Sequence, residues 1–131
     1  MASELSNYLA NMILNWLDGD AFASAPTDVY VALFNGDPTA TGSGGTEVTT
    51  TIRVAGRLPV VWGAVASRAC ANSADIDFGL AAGGASITHA ALFDAASAGN
   101  MLTYSPLDTP RTVIAGDPVV IPTGDVSANF N

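Results

Sequence analysis

Residues 87–93, Ile-Thr-His-Ala-Ala-Leu-Phe, constrain this chain more than any other stretch. With the two-residue period of a strand, Ile87, Ala91 and Phe93 share one face with His89, while Thr88, Ala90, Leu92 and Asp94 share the other. Small or apolar side chains occupy most of both faces, so neither face is suited to full solvation. That pattern predicts a central strand of a layered β domain, with material packed on each side. Residues 94–100, Asp-Ala-Ala-Ser-Ala-Gly-Asn, read as a turn, and residues 101–107 as the returning strand. An echo lies upstream, where Ala32-Leu33-Phe34-Asn35 matches Ala91-Leu92-Phe93-Asp94. Either two strands play equivalent roles, or three common residues coincide.

The rest of the chain supplies one helix and several short strands. Leu5, Leu9, Met12 and Trp16 predict an amphipathic helix over residues 3–17, capped by Ser3 and ended by Gly19. Tyr8 and Ile13 widen its stripe, which must pack on the sheet or on another subunit, because a helix of about 15 residues is marginal alone. Strands are expected over residues 29–34, 47–54, 60–62, 68–78, 87–93, 101–107, 112–115, 118–121 and 126–130. Asn35-Gly36-Asp37-Pro38 is a turn, and the Gly42-Ser43-Gly44-Gly45 run is a flexible loop. The fold class expected is mainly β, a β-sandwich or jelly-roll with one N-terminal α-helix. The 131 residues suit a single domain, with the helix in 1–19, the sandwich in 28–131, and 39–57 an arm or long loop.

Charge excludes several functions. The net charge is −8, from twelve acids against four arginines and no lysine. Nucleic-acid binding needs cations to replace counterions, and anionic membranes need them too. Lysine-dependent chemistry is absent outright. Charged residues make up only 12% of the chain, so other protein chains are expected to cover part of its surface. Cys70, flanked by alanines, reads as a small apolar strand residue with no disulfide partner. No stretch is long enough for a transmembrane helix, and the N-terminus lacks the basic region of a secretory signal.

Catalytic patterns are missing. The single histidine, His89, sits in an apolar strand, where a hydrogen-bonded core or interface role is the ordinary one. Asp18-Gly19-Asp20 and Asp75-Ile76-Asp77 resemble fragments of calcium sites without the remaining ligands. No catalytic residue, metal site or cofactor is assigned. Arg53, Arg57, Arg68 and Arg111 are each expected to find a carboxylate partner, some across subunits.

Several segments together carry a resemblance over nearly the whole chain. They are Thr27-Asp28-Val29-Tyr30-Val31-Ala32-Leu33-Phe34, Gly45-Thr46-Glu47-Val48, Asn72-Ser73-Ala74-Asp75-Ile76-Asp77-Phe78, the strand from Ile87 to Ala95, and Gly99-Asn100-Met101-Leu102. In this order they resemble small virion structural proteins of tailed bacteriophages, either capsid decoration (cement) proteins or tail-fibre-like proteins. Residues 49–57 depart from that pattern, being longer and Thr-rich where such proteins have a Gly-rich turn before Tyr-Ala-Arg. The resemblance implies a virion protein assembled in the host cytoplasm and no enzyme. The function expected first is capsid decoration, as a homotrimer gripping the major capsid protein. A tail or tail-fibre-associated role is the alternative, and a carbohydrate-binding β-sandwich ranks below both. The partner-binding residues expected are Thr46, Glu47, Val48, Ile52, Arg53 and Arg57. This β-prone, charge-poor stretch could add to a neighbouring sheet, with the two arginines fixing its register.

Overall fold

The computed structural model describes residues 3–49 and 56–129. Its frame is an antiparallel six-stranded sheet. The strands, in chain order, are β1 (Glu4–Leu5), β2 (Tyr30–Asn35), β3 (Thr46–Glu47), β4 (Leu58–Pro59), β7 (Ala85–Phe93) and β8 (Met101–Val113). The spatial order is β1-β8-β7-β2-β3, with β4 also on the outer side of β2. β7 is therefore central, as its two apolar faces require. The two Ala-Leu-Phe strands are direct neighbours: Ala32 lies opposite Ala91, Val31 opposite Leu92 and Tyr30 opposite Phe93. The echo in the sequence is a pair of matched strands meeting at the middle of the sheet.

A second layer is built from two small hairpin-like pairs. β5 (Ala69–Ala71) pairs with β10 (Ser127–Asn129), and β6 (Ile76–Leu80) pairs with β9 (Pro118–Ile121). Val31, Leu33, Ile87, Leu92 and Val113 of the large sheet form one buried cluster with Ile76, Phe78, Val119 and Val126 of this layer. The opposite face of the large sheet buries a smaller cluster of Ala32, Phe34, Ala91, Phe93 and Met101, flanked by Tyr104. The arrangement is sandwich-like, with a β core on one side and loops and a helix on the other.

Several expected boundaries move, each for a visible reason. The helix α1 is Asn7–Leu17 rather than residues 3–17, because Glu4–Leu5 pairs with Thr103 and Tyr104 of β8. Ser6, not Ser3, is the cap: its buried Oγ accepts the Leu9 N–H at 3.1 Å and donates to the Met101 carbonyl at 2.5 Å. The strand expected over residues 68–78 splits into β5 and β6, interrupted at Asn72, whose side chain is committed to the other end of the layer. β8 runs without a break through Pro106 and Pro110 and takes in Thr112 and Val113 of the strand expected at 112–115, whose last two residues fall outside it.

The side-chain parity of β7 also differs from expectation. Ile87 joins Ala90 and Leu92 in the larger cluster, not Ala91 and Phe93. The pairing with β8 slips between Ile87 and His89, and a slip of this kind reverses alternation. The adjacent Thr88 Oγ1 and His89 Nδ1 lie 2.9 Å apart, which regular alternation would forbid.

Candidate interaction surface

The segment expected to dock begins at a loop closed on itself. Gly44 N–H bonds to the Pro38 carbonyl at 2.9 Å, and Gly42 N–H to the Thr39 carbonyl at 3.0 Å. A Cβ on Gly45 (φ +62°) would lie 2.7 Å from the Gly36 oxygen, and one on Gly44 would lie 2.5 Å from the Asp37 oxygen. These glycines let two backbones touch; the flexible hinge expected from their composition is a tight closure. From its other end, Thr88 Oγ1 accepts the Gly36 N–H at 2.8 Å and fixes the turn to β7 where its pairing with β8 shifts register.

Thr46 and Glu47 then pair with Asn35 and Phe34 on the outer side of β2. Val48 N–H reaches the Leu33 carbonyl at 2.8 Å, and its half-buried side chain packs on the larger core. On one side the backbone of this stretch is already paired, so any strand addition would use its outer edge. Ile52 and Arg53 lie outside the described residues.

Arg57 returns the chain to the domain. Its Nε and Nη2 donate to the two carboxylate oxygens of Glu47 at 2.8 and 2.9 Å. Its Nη1 donates to the carbonyls of Ala95 and Ala98 at 3.0 and 2.7 Å, in the turn after β7. The guanidinium carbon sits 3.5 Å from the centroid of the Phe93 ring, which stacks on Phe34 with centroids 6.3 Å apart. The side chain is only 8% exposed. Planar geometry and five fixed donors suit arginine to this triple task. Arg57 thus finds the carboxylate expected for it, but within its own chain, where it joins β3, the start of β4 and the β7–β8 turn. Among the described residues this is the one ion pair; Arg111 donates instead to the Pro118 carbonyl at 3.1 Å.

Two concave features flank the sheet. A cleft of about 520 Å³ opens between β8 and the β9–β10 end of the second layer. Its floor reaches Leu33, Ile87 and Ala90, and Asp108, Arg111 and Asp125 stand among its lining residues. A smaller groove of about 340 Å³ lies beside the start of α1, between Tyr8, Gly42, Phe93 and Met101. His89 and Cys70 line neither. Among the described residues no group of three or more metal-ligating side chains gathers. No helix is long and apolar enough to cross a membrane.

Exposed apolar side chains occur at Val61, Val65, Leu80 and Ile114, and several more lie on the helix, whose stripe was expected to be covered. No side chain of α1 is buried. Trp16, on the stripe expected to pack on the sheet or on another subunit, is 56% exposed, with Leu14 at 60% and Leu17 at 68%. Trp62 is half-buried against the larger core.

A family model described as Podophage GP4 fiber I protein gp80 matches residues 4–129, almost the entire chain. The chain belongs to that family. It is a tailed-phage structural protein, and the family implies a place in the virion. No curated protein matches the chain. The match runs from β1 through β10 and so includes α1, the Arg57 staple and both layers. Sequence reasoning reached this family level through scattered segments, and of the two places it allowed for the helix stripe, the sheet or another subunit, the sheet covers only Leu9, Met12 and Ile13 in part.

Proposed function

We propose that this chain is a subunit of a virion fibre, where its work is to hold neighbouring proteins in place rather than to catalyse a reaction. The family match over residues 4–129 carries this reading, because its description names a fibre protein. The geometry is consistent with a load-bearing part. Loops that could move freely are tied down, by Gly44–Pro38 contact in one case and by Arg57 in the other. Apolar side chains are left on the outside of α1. Such a subunit would bind through protein surface alone, with no cofactor.

Capsid decoration is the competing placement within the same structural role. Location separates the two. Gold-labelled antibody against this chain, applied to intact virions, should mark the tail or fibre region. Label distributed over the head, at a copy number matching the capsid lattice, would replace the fibre reading with decoration.

A further inference from the structure

We propose that the free edge of β9 and the cleft beside it form a docking site for an extended segment of a different protein, one in which apolar and basic side chains alternate. The second layer is incomplete on this side. It is built of pairs two strands wide, against six strands in the large sheet. Its β5–β6 edge is covered: Gly63 N–H donates to the Ala71 carbonyl and Ser73 N–H to the Val61 carbonyl, both at 2.8 Å. Its β9 edge has no third strand among the described residues. There Val119, Val120 and Ile121, β-branched residues that each keep an N–H, run along the cleft of about 520 Å³. The facing wall also lacks partners. His89 pairs with Pro106 and Ile87 with Arg111, so residues 107–110 of β8 stand opposite Thr88 alone and have no place in the ladder. Backbone groups on both walls are therefore open to a strand laid between them, as when a peptide adds to a sheet edge. The outer edge of β8 beyond β1 is less suited, because Pro106 and Pro110 lack the N–H.

Charge decides what kind of chain fits. Asp108 and Asp125 stand exposed on the two lips of the cleft. The one ion pair among the described residues is Arg57 with Glu47, so neither of these carboxylates has a cation there. Arg111, the cation at the cleft, is turned to the Pro118 carbonyl at 3.1 Å. An incoming basic side chain meets two open carboxylates and the field of a chain with net charge −8. A second copy brings the opposite, the same twelve acids with four arginines and no lysine. Apolar side chains on the alternate face of the segment turn to the floor, which Leu33, Ile87 and Ala90 form. The four residues of β9 span about 13 Å at about 3.3 Å each, so the site takes a segment of roughly four to six residues. A contact this short buries less than a standard interface, so binding at one site is weak and reversible.

Amide NMR on the isotope-labelled full chain tests this with three synthetic peptides: Lys-Val-Lys-Val-Lys-Val, its Glu-for-Lys counterpart, and the lysine peptide with methylated backbone amides. The lysine peptide, added up to about 1 mM, should shift the amides of Val119, Val120, Ile121 and residues 107–109 and slow their hydrogen exchange. The glutamate peptide should bind about tenfold more weakly, and the methylated peptide should lose binding. Asp108→Asn with Asp125→Asn should weaken the lysine peptide about fivefold, as loss of two exposed pairs does. Both side chains are exposed, so circular dichroism should show this variant folded. Absence of shifts along β9 overturns the proposal, as does shifting confined to α1. Undiminished binding of the methylated peptide removes strand addition, and equal binding of the glutamate peptide removes the basic partner. A chain whose sedimenting mass rises with concentration, and whose β9 amides shift as it does, assigns the cleft to a second copy instead. None of these readouts depends on whether the virion position is fibre or head.

Discussion

Asn72 is the residue on which the second layer closes. It is 2% exposed and uses its whole side-chain amide. Nδ2 donates to the carbonyls of Ala74 at 2.8 Å and Pro122 at 3.0 Å, and Oδ1 accepts the N–H groups of Gly124 at 3.0 Å and Val126 at 2.9 Å. Its removal leaves the buried Val126 N–H and the part-buried carbonyls of Ala74 and Pro122 without these partners, and an unpaired buried group is the expensive side of hydrogen bonding. Asn72→Ala should therefore lower unfolding free energy by about 2–4 kcal/mol, measured by urea denaturation. Ser105 behaves oppositely. Its Oγ is buried without a partner among the described residues, so Ser105→Ala should leave stability unchanged or raise it. A second residue-scale effect concerns pH. The Glu4 carboxylate accepts from the Tyr104 hydroxyl at 2.8 Å and raises that phenol above its ordinary value, with burial and the nearby charges adding to the effect. The neutral phenol is the favoured form in the fold, so this contribution is complete below the unfolded-state value and disappears as pH rises through the folded one. At the other end, the Thr123 backbone N–H and then its hydroxyl hold the Asp75 carboxyl below its ordinary value. That contribution is present above the unfolded value and lost as pH falls through the folded one. Thermal melts should accordingly show Glu4→Gln flattening the alkaline limb and Asp75→Asn flattening the acid limb, with Thr123→Val flattening the acid limb less, because it keeps the backbone N–H.

Among the elements, β3 and the turn after β7 are held together by a single side chain. Arg57→Met keeps the apolar stem over Phe93 but removes every donor to Glu47, Ala95 and Ala98. The loss of a largely buried, bidentate pair, with Glu47 left without its cation, should cost about 3 kcal/mol. Pairing the change with Glu47→Gln should recover part of that cost, and a double-mutant cycle by chemical denaturation measures the coupling. Helix α1 depends similarly on Ser6. Ser6→Ala removes both the cap to Leu9 and the donor to the Met101 carbonyl. A cost of about 1–2 kcal/mol is expected, with hydrogen exchange accelerated in α1 before the sheet is affected.

At the scale of the molecule, the larger core joins both layers, since Leu33 and Leu92 of the sheet share a cluster with Ile76, Phe78 and Val119. Unfolding should therefore be one transition, superimposable by circular dichroism and, in a Trp16→Phe background, by Trp62 fluorescence. Phe93→Ala removes a ring that is 7% exposed, stacked on Phe34 and covered by Arg57, and should cost about 3–5 kcal/mol. Deletion of residues 46–54 takes away the outer neighbour of β2 and the packing of Val48, so it should destabilise the whole domain rather than release a docking arm.

The sequence by itself determined the β class, the central position of residues 87–93 and the burial of Leu33, Phe34, Leu92 and Phe93, since each follows from local apolar alternation. It also determined the family, because the order of many small segments survives even where each is unspecific. Tertiary structure decided the rest. Within residues 68–78 the turn-forming cluster Asn72-Ser73-Ala74-Asp75 only hints at a break, because three of the four partners of the Asn72 side chain lie 50 or more residues away at Pro122, Gly124 and Val126. Local spacing assigned Glu4 and Leu5 to a helix, and pairing with distant β8 made them a strand. The partner of Arg57 could not be chosen among twelve acids until β3 and the turn after β7 were brought beside it. Whether an amphipathic stripe is buried is also a tertiary matter: periodicity marks the side that seeks cover, while the placement of α1 at the rim of the sheet left that side open.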